Sequence, residues 1–68
     1  MIACWITEYV KRPAVEQMVR ALKDQGLTVF SFGPNGYSAE LDGTQIFRAT
    51  SQGNEVFEVK RMERVHHG

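Results

Sequence analysis

Few residues of this sequence could do chemistry, and their spacing does not match a catalytic or metal site. His66 and His67 are adjacent at the C-terminus, whereas a structural or catalytic metal site needs three or four converging ligands. Cys4 has no basic neighbour, and the alternate positions Ile2 and Ile6 predict that it points toward the core as a small apolar side chain. We therefore predict no catalytic residues, no metal and no cofactor, in a protein that is not an enzyme.

Two carboxylates, Glu40 and Glu58, are predicted to share one face of a β-sheet. A carboxylate pair that performs acid–base catalysis needs a cleft that raises the pKa of one member. An open sheet face offers no such cleft. We interpret both side chains as solvated.

A third candidate is a platform of aromatic and basic side chains, formed by Trp5 and Phe47 with Lys60 or Arg61. Modules that bind single-stranded nucleic acid stack bases on sheet aromatics within a basic surround. Here eight Lys and Arg residues balance eight Asp and Glu residues, whereas a dedicated nucleic-acid binder usually carries a basic excess. Nucleic-acid binding is therefore the alternative hypothesis.

Length and composition indicate one small domain, residues 1–68, with residues 63–68 as a flexible C-terminal tail. A domain of this size buries only about 60% of the surface that its unfolded chain exposes, so its stability is a few kcal/mol at most. The single cysteine fits a reducing cytoplasm. No apolar stretch approaches the roughly 20 residues needed to cross a bilayer, so we expect a cytoplasmic protein without membrane contact.

One helix is predicted from Pro13 to Gln25. Proline suits the first turn because its missing N–H has no partner there, and Gly26 can adopt the left-handed conformation that ends a helix. One stripe has the spacing of a buried helix face: Val15, Met18, Val19 and Leu22.

Alternating β-branched and aromatic residues predict strands over 2–10, 27–32, 37–42, 44–50 and 55–62. The fold class is therefore α+β, in the order β-α-β-β-β-β, with a single helix on one face of a mostly antiparallel sheet of four to five strands. A right-handed crossover predicts the first strand parallel to the second, beside it or one strand away.

The turns predict the register of the sheet. A two-residue turn at Asp42–Gly43 places Ala39 opposite Ile46, and a reversal at Gln52–Gly53 places Arg48 opposite Phe57. Together with a reversal across 33–36, these choices put one set of residues on the face beneath the helix: Phe30, Phe32, Tyr37, Ala39, Leu41, Ile46, Phe57 and Val59.

The opposite face is then mostly polar, as a solvated sheet face should be. Apolar side chains interrupt it at Phe47, Val56 and Met62, and Trp5 and Tyr9 join them if the first strand points Ile2, Cys4 and Ile6 inward. The predicted partner-binding site consists of Trp5, Phe47, Val56, Met62 and Lys60. We predict a small interaction protein that binds another protein, or a second copy of itself, through this face. Small neutral proteins of this size are common in phages and mobile elements, where many act as inhibitors or regulators. Replacing Phe47 with glutamate is expected to keep the fold and abolish partner binding.

Overall fold

The computed structural model describes the backbone of residues 2–65 and the environment of the side chains of residues 4–62. One helix packs against a five-stranded antiparallel sheet, which confirms the predicted fold class and element order. The elements are β1 (Ile2–Lys11), α1 (Arg12–Asp24), β2 (Thr28–Ser31), a short 3₁₀ turn (Gly33–Asn35), β3 (Gly36–Leu41), β4 (Thr44–Gly53) and β5 (Val56–Val65). β5 thus continues to Val65, into the segment predicted as a tail, and residues 66–68 lie outside the described part.

The strand order across the sheet is β1-β5-β4-β3-β2, so the first two strands lie at opposite edges. Every neighbouring pair is antiparallel, and β1 and β2 therefore run in the same direction, as predicted. Their predicted proximity is wrong, because three strands separate them. The reason is that β5, the last strand, pairs with β1 along its whole length, from Ile2 opposite Val65 to Lys11 opposite Val56. α1 connects one edge of the sheet to the other.

The helix begins and ends one residue earlier than predicted. At its start, the Arg12 backbone N–H donates to the Glu55 carbonyl at 2.9 Å, and Arg12 Nε lies 3.1 Å from Glu55 Oε2. The Arg12 guanidinium also lies over the Phe57 ring, 5.0 Å from its centroid. At its end, Gly26 has φ 86°, and the Leu27 N–H donates to the Leu22 carbonyl at 3.1 Å. This pattern satisfies carbonyls that the last turn would otherwise leave unpaired.

The predicted helix stripe is confirmed, because Val15 and Val19 are buried and Met18 and Leu22 pack against the core. The residues buried with Val15 and Val19 come from the three central strands of the sheet: Ala39, Phe47, Ala49, Phe57 and Val59. Ala39, Phe57 and Val59 were predicted there. The prediction is wrong for Phe30, Phe32 and Leu41, whose side chains are exposed.

A β-bulge explains why Phe47 is buried and not on the open face. The predicted turn is correct, since Leu41 lies opposite Thr44. The register then shifts between Ala39 and Glu40, so that Ala39 lies opposite Phe47 and not opposite Ile46. Successive residues of a strand point to opposite faces, so one extra residue moves every following side chain to the other face. Phe47 is 3% exposed, and its predicted place on the open face is wrong.

The reversal between β4 and β5 also differs from the prediction. It is made by Asn54 and Glu55, both with positive φ (53° and 64°), and a second register shift lies just before it. Val59 consequently lies opposite Ala49. Phe57 and Val59 are buried as predicted. Their cross-strand neighbours differ from the prediction, since Phe57 lies opposite Ser51 and not opposite Arg48.

The loop between β2 and β3 shifts β2 by one residue. The Phe32 N–H donates to the Gly36 carbonyl at 2.9 Å, and the 3₁₀ turn lies between them. Val29 therefore lies opposite Ala39 and packs on the core, whereas Phe30 lies opposite Ser38 on the other side of the sheet. The side of the sheet that faces away from α1 is hereafter called the outer face.

Candidate functional site

The centre of the outer face is a row of five side chains, one from each strand. Cross-strand pairing places them in the order Phe30, Ser38, Arg48, Lys60 and Thr7. They alternate along their strands with the buried residues of the core, which directs them away from the helix. The row runs from an aromatic ring at one edge to a hydroxyl at the other, with two cations in the middle.

Arg48 and Lys60 lie directly opposite each other on the two strands β4 and β5. Like charges in this position destabilise a sheet, because their side chains are close neighbours. Lys60 Nζ is 3.9 Å from Glu58 Oε1, which is the outer limit of an ion pair. Arg48 has no ion-pair partner among the residues that the structure describes. The middle of the outer face is therefore suited to receive a negatively charged group.

Exposed aromatic side chains stand at the two edges of this face. On β1, Trp5 is 50% exposed and Tyr9 is 63% exposed; on β2, Phe30 is 43% exposed. The Tyr9 hydroxyl donates to Glu58 Oε2 at 3.0 Å. This hydrogen bond, with the repulsion that a phenolate would meet from the same carboxylate, raises the pKa of Tyr9 above 10.0.

The sign of this shift gives a prediction. Because the pKa of Tyr9 is raised in the folded protein, the hydrogen bond is intact below about pH 10 and is lost as the pH rises through the folded value. We expect Glu58→Ala to lower the pKa of Tyr9, measured by tyrosinate absorbance in a Tyr37→Phe background. Glu40→Ala is the matched control, since it removes another carboxylate of the outer face. Equal titration curves for Glu58→Ala and its parent would contradict the contact.

A shallow depression of about 270 Å³ lies on the outer face, beside the two cations. Its lining combines one aromatic ring, two cations, one carboxylate and two neutral polar groups: Trp5, Arg48, Lys60, Glu58, Gln45 and Thr50. Such a surface can bind an anionic group through charge-assisted hydrogen bonds from Arg48 while a flat apolar group packs on Trp5.

The residues predicted to bind a partner are dispersed in the structure. Trp5 and Lys60 both line the depression. Val56 is half-buried near the opposite end of β5, where it lies opposite Lys11, and Phe47 belongs to the core. Met62 lies opposite Trp5 in the sheet, but it also lines a groove on the helix side. The contiguous patch predicted around Phe47 is therefore absent from the described face.

Sequence reasoning missed Arg48 and Phe30 as residues of this face. For Arg48 a signal was available. The predicted register placed this charged side chain opposite Phe57, beneath the helix, and a buried unpaired guanidinium is costly. A shift by one residue would have removed the conflict.

The prediction that Cys4 points toward the core is also wrong, because its side chain is exposed. Cys4 lies opposite Glu63, in the part of the β1–β5 pair that extends beyond Arg61. Arg61 is the last residue of β5 that pairs with β4, where it lies opposite Phe47. This end of the two strands projects past the body of the sheet and past its core.

A larger groove, of about 450 Å³, lies on the other side of the sheet, beside the second half of α1. Its apolar lining comes from the helix and the sheet: Met18, Ala21, Leu22, Ile46, Phe47 and Met62. Glu8 and Arg61 also line it and form an ion pair, with Arg61 Nε 3.3 Å from Glu8 Oε1. The groove is a part of the inner face that the helix of 13 residues leaves uncovered.

Within the described part of the chain, no three His, Cys, Asp or Glu residues are grouped so that they could hold a metal ion. His66 and His67 lie outside the described residues. Across the same part of the chain, α1 is too short and too polar to cross a membrane. Comparison of the sequence and fold with family models, curated proteins and solved structures finds no match.

Proposed function

We propose that this protein is a non-enzymatic interaction module that binds a protein partner through its outer face, as an inhibitor or regulator of that partner. One observation carries the proposal. The outer face exposes Trp5, Tyr9 and Phe30 around two cations that lie opposite each other, Arg48 and Lys60, of which only Lys60 has a nearby carboxylate among the described residues, while α1 packs on the opposite side. Aromatic residues and arginine are the residue types enriched at the energetic centres of protein interfaces.

The charges of this face indicate the chemistry of the partner. An acidic side chain can lie between Arg48 and Lys60, with apolar groups on Trp5 and Phe30. Three strands have ten residues and are about 33 Å long, β3 has six residues and β2 has four, and the five strands together are about 20 Å wide. These dimensions approach the roughly 800 Å² that each partner contributes to a stable interface of standard size.

The partner can be identified by placing a photo-crosslinking amino acid at Phe30 and, as a control, at Gln17 on the solvent face of α1. Both side chains are exposed, and Gln17 is on the helix, which lies on the other side of the sheet. We expect a covalent product in cells from position 30 and none from position 17. The crosslinked protein is then purified for direct binding measurements.

Arg48→Glu tests the face with that purified partner. The introduced carboxylate would lie opposite Lys60, so the variant should be at least as stable as the parent protein. Its affinity for the partner should fall by at least about tenfold, because a charge-assisted hydrogen bond is replaced by repulsion. Calorimetric titration measures the affinity, and thermal unfolding monitored by circular dichroism measures the stability.

Ala21→Glu is the matched control, because Ala21 is exposed at the groove on the helix side and is remote from the outer face. It should bind like the parent protein. The opposite result, with binding lost in Ala21→Glu and retained in Arg48→Glu, would assign recognition to the groove and refute the proposal.

Single-stranded nucleic acid is the second candidate ligand, because Trp5 lies beside Arg48 and Lys60 in one depression. A base could stack on the indole while the cations contact phosphates. Glu40 and Glu58 on the same face would repel a polyanion, which favours a protein partner. Tight binding of short single-stranded oligonucleotides that weakens steeply with salt, followed by fluorescence anisotropy, would favour the nucleic acid instead.

A further inference from the structure

We propose that the open edge of β1 pairs with β1 of a second copy of this chain, in antiparallel orientation, and joins two sheets into one continuous sheet. This inference concerns the edge of the sheet, and it also involves Trp5 and Tyr9 of the outer face. β1 is the edge strand next to β5, and no strand pairs with its other side among the described residues. Its outward backbone N–H and C=O groups are a template for another strand.

Apart from the charged side chain of Glu8 on its inner face, β1 lacks the features that usually protect an edge strand. It has ten residues, its pairing with β5 shows no register shift, and it contains no proline. Its one lysine, Lys11, is at its end. Short length, bulges, prolines and central lysines are the common ways to block edge-to-edge pairing. The other edge of the sheet differs, since β2 has only four residues and is followed by a turn that contains Pro34.

Two-fold symmetry restricts the register of such a pair. Both helices lie on the same side of the joined sheet only if outer-face residues of one copy oppose outer-face residues of the other. This requires that one residue lies opposite the same residue of the second copy, with the two-fold axis midway between them. Axes at Ile6 and Thr7 give the longest overlap of β1 with itself. An axis at Thr7 places Trp5 of each copy opposite Tyr9 of the other. An axis at Ile6 leaves Trp5 opposite Thr7.

The Thr7 register pairs the two exposed aromatic side chains of the strand. Trp5 is 50% exposed and Tyr9 is 63% exposed in a single copy. Cross-strand aromatic pairs stabilise a sheet beyond the effect of area burial. Because of the two-fold symmetry, the Trp5–Tyr9 pair forms twice in the dimer. On the inner face the same register places Glu8 opposite Ile6, so no like charges oppose each other between the copies. We therefore assign the two-fold axis to Thr7.

The test is a pair of disulfide crosslinking experiments. In Thr7→Cys with Cys4→Ser, the new thiols face each other across the axis, with Cα atoms about 5 Å apart, within the range of a disulfide. We expect rapid formation of a covalent dimer under mild oxidation, seen on a non-reducing gel. Thr28→Cys with Cys4→Ser is the matched control, because Thr28 is an exposed outer-face residue of the other edge strand, and it should stay monomeric on the gel.

The parent protein tests the register, because its own Cys4 would lie six residues, or about 20 Å, from Cys4 of the second copy. It should therefore form no disulfide, although Cys4 is exposed. Sedimentation velocity should show a concentration-dependent dimer that Trp5→Ala weakens about tenfold and that Arg48→Glu, on a central strand, leaves unchanged. A monomer at every concentration, with no Thr7→Cys crosslink, would overturn the proposal. Efficient crosslinking through Cys4 would overturn the assigned pairing.

Discussion

Replacing Phe47 with glutamate is expected to unfold the protein. Phe47 is 3% exposed and packs among Ala39, Val15 and Val19 beneath the helix. Removing a buried phenyl ring costs about 3–5 kcal/mol, and burying a carboxylate without a partner costs several kcal/mol more. The sum exceeds the few kcal/mol that stabilise a domain of this size. Circular dichroism should show loss of the folded spectrum at neutral pH.

Phe30→Glu is the matched control for this substitution. Phe30 is also a phenylalanine in a strand, but it is 43% exposed on the outer face, opposite Ser38. A carboxylate there remains hydrated, so we expect a folded protein with a melting temperature close to that of the parent. The register described here would be refuted if Phe47→Glu melted like the parent protein while Phe30→Glu was unfolded.

Gly36→Ala is expected to be the second most damaging single change. Gly36 is buried at the start of β3 and has φ 147°, a conformation that residues with a Cβ atom rarely adopt. A Cβ atom at this position would overlap the backbone carbonyl oxygen of Ala49 on the neighbouring strand β4. Backbone strain and displacement of β4 together cost about 2–6 kcal/mol. Urea unfolding should show most or all of the stability lost.

Gly33→Ala separates the two causes, because Gly33 lies in the same loop with φ 65°, and beyond its own residue and its two chain neighbours no atom lies within 4 Å of the place that its Cβ atom would take. Only the left-handed backbone conformation is then penalised, at a cost of about 1–2 kcal/mol. The Gly33→Ala variant should remain folded. Equal losses of stability in the two variants would mean that the steric overlap between a Cβ atom at position 36 and the Ala49 carbonyl does not lower the stability.

The helix was predictable because its signals are local. The stripe of Val15, Val19 and Leu22 repeats at the period of a helix, and Pro13 and Gly26 limit it on either side. Each of these effects acts within a few residues of its cause. The structure moves both helix ends by only one residue.

The composition of the outer face depends on a bulge that the alternation of the strand residues does not predict. Ile46 and Phe47 are adjacent, and either side chain could occupy the space beneath the helix. The structure buries Phe47 and leaves Ile46 only partly buried. This choice also moves Arg48 from the predicted core to the open face, opposite Lys60. The candidate site therefore depends on whether Ile46 or Phe47 packs beneath the helix, and the alternation of the strand residues allows both.

The position of β1 was beyond sequence reasoning for a different reason. A crossover rule concerns neighbouring parallel strands, whereas β1 pairs with the strand most distant from it in the chain. That pairing became possible because β5 continues to Val65 and matches β1 in length.

The sequence by itself determined the α+β class, the single amphipathic helix, the element order and the turn at Asp42–Gly43, because each follows from short-range periodicity or backbone preference. Only the tertiary structure decided which face each strand residue occupies and which strand lies at each edge. Side chains alternate with a period of two, so a single extra residue in β4 inverts the face of Phe47 and Arg48. Packing against α1 selects between the two registers, and local propensity is nearly the same in both.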